Sequence, residues 1–153
     1  RVLFRSLVLG GRTIADILRE GSDRLQGAAL LLSAHTDLPL VREAVMEIGY
    51  HLVSESLCYE RGRYYLLLLA RPGAEALSAS ELRLGKRLFD APGELHRSYL
   101  RHRLQVTEAK LAGLLRAEKP PEAEILRVRE DLETLQRILQ QLSDQCKSKE
   151  ESV

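Results

Sequence analysis

One hundred and fifty-three residues allow one ordinary domain, or a domain with an appendage. A composition that is 44% hydrophobic and 29% charged describes a globular chain and excludes a wholly disordered one, and two cysteines can build neither a disulfide framework nor a four-ligand zinc site. The net charge of +1 averages unequal parts: residues 1–77 balance at zero, 78–119 carry +4 and 120–153 carry −3. A basic middle beside an acidic end fits either a polyanion-binding face or two helices paired through opposite charges, and both readings stand at this point.

The first half alternates strand and helix signals. Leu3 to Leu9 is an apolar run ending at Gly10-Gly11, and Ile14, Ile17 and Leu18 then recur at helical spacing up to Gly21, a helix stop. Ala28 to Leu32 reads as a strand buried on both faces of a parallel sheet. Asp37 is expected to cap a helix with Pro39 in its first turn and Gly49 as its end, burying Leu40, Val41, Ala44, Val45 and Ile48. Tyr50 to Tyr59 and Arg63 to Ala70 form a β-hairpin across Glu60-Arg61-Gly62. Residues 1–70 therefore read as β-α-β-α-β-β.

The second half loses its strand signals. Ser78 and Glu81 have capping-box spacing, and the short helix they start should stop at Gly85. After Pro92-Gly93, Leu100, Leu104, Thr107, Leu111 and Leu114 make one heptad seam. After Pro120-Pro121, the run from Ile125 to Leu142 makes a second. This predicts an antiparallel helical hairpin of two helices with about 25 residues each, about 37 Å long, folded near Pro120. Such a fold sets Lys110 opposite Asp131 and leaves Arg97, Arg101 and Arg103 without obvious partners, just downstream of Lys86 and Arg87. These five cations are the candidate polyanion contacts.

Gly10 and Gly11, between a strand and a helix, are the sharpest local motif. They can bring a ligand close to free helix amides at the carboxyl edge of the sheet, or simply make a tight turn. No lysine stands at the phosphate-loop spacing. His35 lies at the same edge, where a histidine can serve as a base, hydrogen-bond a substrate, or be merely solvated. His96 and His102, six apart, do not share a helix face, and no metal site is expected. Cys58 reads as a small buried hydrophobe and Cys146 as an exposed thiol. Of Tyr64 and Tyr65, adjacent on a strand, one should be core and one could stack on a base. The run Tyr64 to Ala70 is too short to span a membrane, Arg1 and Arg5 interrupt any signal peptide, and a cytoplasmic setting is expected.

The ordered set of signals resembles a family. The strand ending in Gly10-Gly11 and the run Thr13 to Leu18, then Gly49-Tyr50, Glu60-Arg61-Gly62-Arg63-Tyr64-Tyr65 and Leu77 to Gly85 before a coiled-coil hairpin, are similar to the bacterial tRNA (adenine-N1)-methyltransferases acting on position 22 of the D-arm. The resemblance covers roughly residues 7 to 145. It implies an α/β fold: the C-terminal half of a class I, Rossmann-like methyltransferase sheet over residues 1–77, and a helical hairpin that binds tRNA over 78–153. It also implies S-adenosylmethionine as cofactor, tRNA as partner, and Gly10 and Gly11 beside the methyl donor. Val8-Leu9 stand where the family's turn has Gly-Met, and Ser33-Ala34-His35 stand where it often has Gln-Pro-Asn. The family's first three strands, with the donor loop, have no counterpart here, and the chain opens without methionine. A fragment is therefore expected, with strands equivalent to the family's fourth, fifth, seventh and sixth in spatial order, and with poor donor binding by itself. The reading from a different class is a non-catalytic α/β module whose coiled coil docks a partner.

Overall fold

The computed structural model describes residues 2–4, 9–90 and 93–150, with side chains described for 9–90 and 93–145. Two compact units divide the chain, Arg1–Ala91 and Pro92–Val153. The first holds β1 (Val2–Phe4), α1 (Gly11–Glu20), β2 (Ala29–Ala34), α2 (Leu38–Glu47), β3 (Tyr50–Glu60), β4 (Arg63–Pro72) and α3 (Ala79–Leu84). The second holds α4 (Glu94–Leu115) and α5 (Glu122–Glu150). Composition and resemblance put the boundary at residue 77. The structure puts 78–91 in the first unit, because α3 packs on α2.

The sheet order is β1-β2-β4-β3, with β1 parallel to β2 and β4 antiparallel to both its neighbours. This is the order expected for strands four, five, seven and six of the resembled sheet. Of the expected first strand, Leu3 to Leu9, the structure describes β1 over Val2–Phe4; residues 5–8 lie outside the described residues, and Leu9 is in no strand.

One face of the sheet is the core face. Leu66, Leu68 and Ala70 alternate along β4 and are almost wholly buried, opposite Ala34, Leu32 and Leu30 of β2. Helices α1 and α2 pack against each other and supply Ile14, Leu18, Val41 and Val45, each such burial stabilising by about 1.5–3 kcal/mol. On the opposite face Leu31, Ser33, Leu67 and Leu69 are half-buried, so β2 is not enclosed on both sides as its apolar run suggested. Helix α2 also departs from its expected burial, with Leu40 and Ile48 half-buried and Arg42 wholly buried.

A bulge explains Arg42. Between Leu52 and Ser54 the register of β3 slips by one residue, leaving Val53 40% exposed. Because strand side chains alternate, the slip turns Glu55 rather than Ser54 onto the core face, opposite Leu68. Glu55 Oε1 there accepts from Arg42 Nε at 2.7 Å, and both side chains are at most 1% exposed. Glu55 Oε2 accepts from the backbone amides of Lys86 and Arg87 at 3.0 and 2.9 Å, while Arg42 donates to the Leu82 carbonyl at 2.7 Å. The pair thus holds residues 82–87 against α2 and β3.

Local caps act as the sequence indicates at α3: Ser78 Oγ accepts from the Glu81 amide at 3.2 Å and the Glu81 carboxylate accepts from the Ser78 amide at 2.9 Å. Asp37 differs. It sits in the left-handed region at φ 50, its side chain makes no cap bond, and its carbonyl accepts from Leu40 and Val41 instead.

The second unit folds back on itself as expected. Leu100 of α4 and Ile125, Val128, Leu135 and Leu142 of α5 are buried along the seams. Helices of 22 and 29 residues replace two of equal length. Lys110 bonds Glu124 at 2.8 Å rather than meeting Asp131, a partner one heptad nearer the tip.

Candidate functional site

The carboxyl edge of the sheet gathers the first group of candidates. The Gly11 amide donates to the Thr36 carbonyl at 3.1 Å, so the turn before α1 lies directly on the turn after β2. A Cβ on Gly11 would stand 2.3 Å from the Thr36 carbonyl oxygen and 2.7 Å from that of Asp37, a clash with backbone. That contact explains the second glycine as a close approach of two chain segments. Gly10 is looser, its added Cβ 3.4 Å from Thr36 Oγ1. The Gly11 amide thus has a backbone partner, and backbone fills the space beside it.

His35 is half-buried next to this turn. Its Nδ1 is buried with no hydrogen-bond partner, and its ring lies 5.8 Å from that of Tyr65. Tyr64 faces the other way and packs on Tyr59 at 4.7 Å between centroids. Both Tyr64 and Tyr65 are half-buried, so neither is plain core. Cys58, expected to be buried, is exposed, because it lies opposite Tyr65 where β3 has run past the end of β2. Cys146 lies outside the residues whose side chains are described.

An apolar cleft of about 450 Å³ lies between α1 and β2, lined by Leu9, Ile17, Leu18, Leu25, Leu30 and Leu32 among others. Among the described residues no group of three or more His, Cys, Asp or Glu side chains could hold a metal ion, and no helix is long and apolar enough to cross a membrane.

The basic candidates fall into two sets. In the first unit Lys86 Nζ lies 3.4 Å from Glu75 Oε1, with Arg87 at 3.8 Å from the same oxygen and 3.9 Å from Asp90. Glu75, only 7% exposed, also accepts from the Leu52 amide at 2.9 Å. In the second unit Arg97 and Arg101 do have a partner: Glu94, at 2.9 and 3.7 Å. Arg101 and Glu94 are 58% and 73% exposed, and an exposed pair of this kind contributes about 0–1 kcal/mol. Arg97 and Arg101 stand one turn apart on the same side of α4. Arg103, two residues on, projects about 200° around the helix from Arg101, so the three do not form one patch.

His96 begins the same helix differently. Its Nδ1 accepts from the Gly93 amide at 3.1 Å, and burial holds the imidazole below its usual pKa, favouring the neutral ring that can accept. Sequence reasoning does not find the Arg42–Glu55 pair, whose only local signal is an arginine and a glutamate at positions of otherwise apolar pattern.

The model of the family described as TrmK, tRNA (adenine(22)-N(1))-methyltransferase, matches residues 8–136. No curated protein matches. Among solved structures, the chain is similar to Sp1610 of Streptococcus pneumoniae in complex with S-adenosyl-L-methionine, at 25% identity and TM-score 0.71, over 87% of this chain and 57% of that one. It is similar in fold to the B. subtilis M1A22 tRNA methyltransferase TrmK at 23% identity and TM-score 0.72, over 86% and 60%. It also matches M. capricolum TrmK in complex with S-adenosyl-homocysteine at 20% and 0.64, over 86% and 56%. The chain thus spans between half and two thirds of the length of these proteins. With a family match across most of its residues and a sheet that follows the resembled strand order, the chain belongs to the TrmK family of tRNA (adenine(22)-N(1))-methyltransferases.

Proposed function

We propose that this chain serves the transfer of a methyl group from S-adenosylmethionine to N1 of adenine 22 in the tRNA D-arm, in the cytoplasm. The observation that carries the reading is the family match over residues 8–136 on a chain whose sheet is followed by a long helical hairpin. The donor supplies an electrophilic methyl group. The described residues do not make a complete site for it, so what this chain contributes is argued on the side of the acceptor.

N1 of neutral adenine has a lone pair and no proton, so its alkylation needs alignment and no strong base. Reaching that atom requires the base to leave its stack at a cost of a few kcal/mol, which contacts to the RNA backbone offset. Arg101, 58% exposed beside the exposed Glu94 carboxylate, can exchange it for phosphate at little cost, and Arg97, 25% exposed, stands one turn before it on the same side of the helix. Lys86 and Arg87 are less available, since Glu75 engages both. Arg103 would contact RNA from a different side of α4.

Deleting the gene and measuring N1-methyladenosine in total tRNA by mass spectrometry tests the reading. Loss of the modification, restored by the wild-type gene, is expected; an unchanged level overturns the proposal. Replacing Arg97 and Arg101 by Gln should weaken tRNA binding and flatten its salt dependence by about one unit for each phosphate left without its arginine.

A further inference from the structure

The β3–β4 hairpin is longer than the sheet needs. The last β2–β4 pair is Ala34 with Leu66, yet β3 and β4 continue through Cys58 with Tyr65, Tyr59 with Tyr64, and Glu60 with Arg63. Three residue pairs at about 3.3 Å each carry the ribbon about 10 Å beyond the end of β2. Because β3 runs parallel to β1 and β2, this overhang projects from the same edge that holds the Gly10-Gly11 turn and His35. The His35–Tyr65 ring contact ties its root to that edge.

The overhang carries side chains that a solvated turn does not need. Tyr59 is 54% exposed, with its ring set against Tyr64. The two-residue turn is Arg61-Gly62, both at positive φ, 50 and 79. A turn of this kind favours Asn or Gly at its first position, and an arginine there is sterically disfavoured. The Arg61 side chain is nonetheless 90% exposed, with Glu60 3.8 Å away, and Arg63 is exposed beside it. Tyr59 and Tyr64 share one face of the ribbon, Arg63 lies opposite Glu60 on the other, and Arg61 stands at the turn between the two faces. An exposed ring beside cations on a narrow ribbon fits unpaired RNA, whose bases stack on rings while phosphates meet arginines.

We propose that the tip formed by Tyr59, Arg61 and Arg63 is a second RNA contact, separate from the helical hairpin. It takes an unstacked base on Tyr59 and a phosphate on Arg61 at the turn, while Arg63 meets the backbone where the RNA strand passes to the other face of the ribbon. The inference rests on the tRNA reading above and adds to it the surface at the sheet edge that meets the nucleic acid.

Equilibrium binding of the protein to tRNA across a salt series tests it. R61N/R63Q is the first variant, since Asn-Gly suits the turn and leaves the fold intact. Its plot of log affinity against log salt should be shallower by about 1.4, two phosphates at about 0.7 each on single-stranded RNA. Y59A should weaken binding about tenfold, whereas Y59F, which keeps the ring, should bind as the wild type does. If R61N/R63Q keeps the wild-type affinity and slope, the tip lies outside the RNA path and the proposal is overturned, whatever Y59A does. If the wild-type protein itself fails to bind tRNA, the functional reading falls and this inference with it.

Discussion

Replacing the buried Arg42–Glu55 pair should not follow the usual outcome of such exchanges. Swapping a buried ion pair for apolar residues of similar volume is often neutral or stabilising, while removing one partner costs about 3–5 kcal/mol because the other charge is stranded. Here R42M strands a carboxylate that is fully enclosed, and E55L strands an enclosed guanidinium, so each single variant should lose about 3–5 kcal/mol. The double variant R42M/E55L removes both charges but also three backbone bonds, from the amides of Lys86 and Arg87 and to the carbonyl of Leu82. Left dry, each such group costs about 1–3 kcal/mol, so the double variant should remain about 3–9 kcal/mol less stable than the wild type. The singles, at about 6–10 kcal/mol together, then sum to more than the double, by about 1–3 kcal/mol of coupling. Urea unfolding followed by tyrosine emission reads this out. Four of the five tyrosines, Tyr50, Tyr59, Tyr64 and Tyr65, lie in the first unit, and the midpoint should fall by about 2 M for a loss of 3 kcal/mol at a slope of about 1.5 kcal/mol/M. A double variant as stable as the wild type would refute the reasoning, because the carboxylate's bonds to residues 86 and 87 would then contribute nothing.

Gly11→Ala should destabilise the protein by about 1–3 kcal/mol or more in urea unfolding, since its Cβ meets fixed carbonyl oxygens, whereas Gly10→Ala, with ordinary φ and only a van der Waals contact to the Thr36 hydroxyl, should be neutral or gain about 0.4–1 kcal/mol. Ser78→Ala should cost about 1 kcal/mol by removing the α3 cap. The bond from the Ser78 amide holds the Glu81 carboxyl below its usual pKa, so its contribution is present above the ordinary carboxylate value and fades as the pH drops through the lowered one, which an acid titration of unfolding would show. For His96 the folded pKa is likewise lowered, so again the unfolded chain binds the extra proton: stability from the neutral ring is present above about pH 6.5 and lost as the pH falls below it. Circular dichroism melts between pH 7.5 and 5 should show this loss, and His96→Asn should flatten it.

Local chemistry made much of this chain legible. Helix spacing, the Ser78 capping box, Gly49 and Gly85 as stops, and a hairpin at Glu60-Arg61-Gly62, one residue of which the structure adds to β3, are settled by neighbours a few positions apart, and their order carries the family resemblance. The heptad steps likewise announce a helical hairpin, since a/d seams need a facing seam. Only tertiary structure decided what a residue's partner is. Val53 gives no sign that the strand will slip there, and that slip alone takes Glu55 inside to meet an arginine 13 positions earlier. Lys110 chose Glu124 because helices of unequal length and a six-residue turn set the facing register, which charge signs do not encode. The same holds for Gly11, whose missing side chain is explained by a carbonyl 25 residues away, and for Cys58, left in solvent because β2 ends before β3 does. Periodicity fixes which way a side chain faces along its own element. Where that element ends against its neighbour, and so what the side chain touches, is a property of the folded whole.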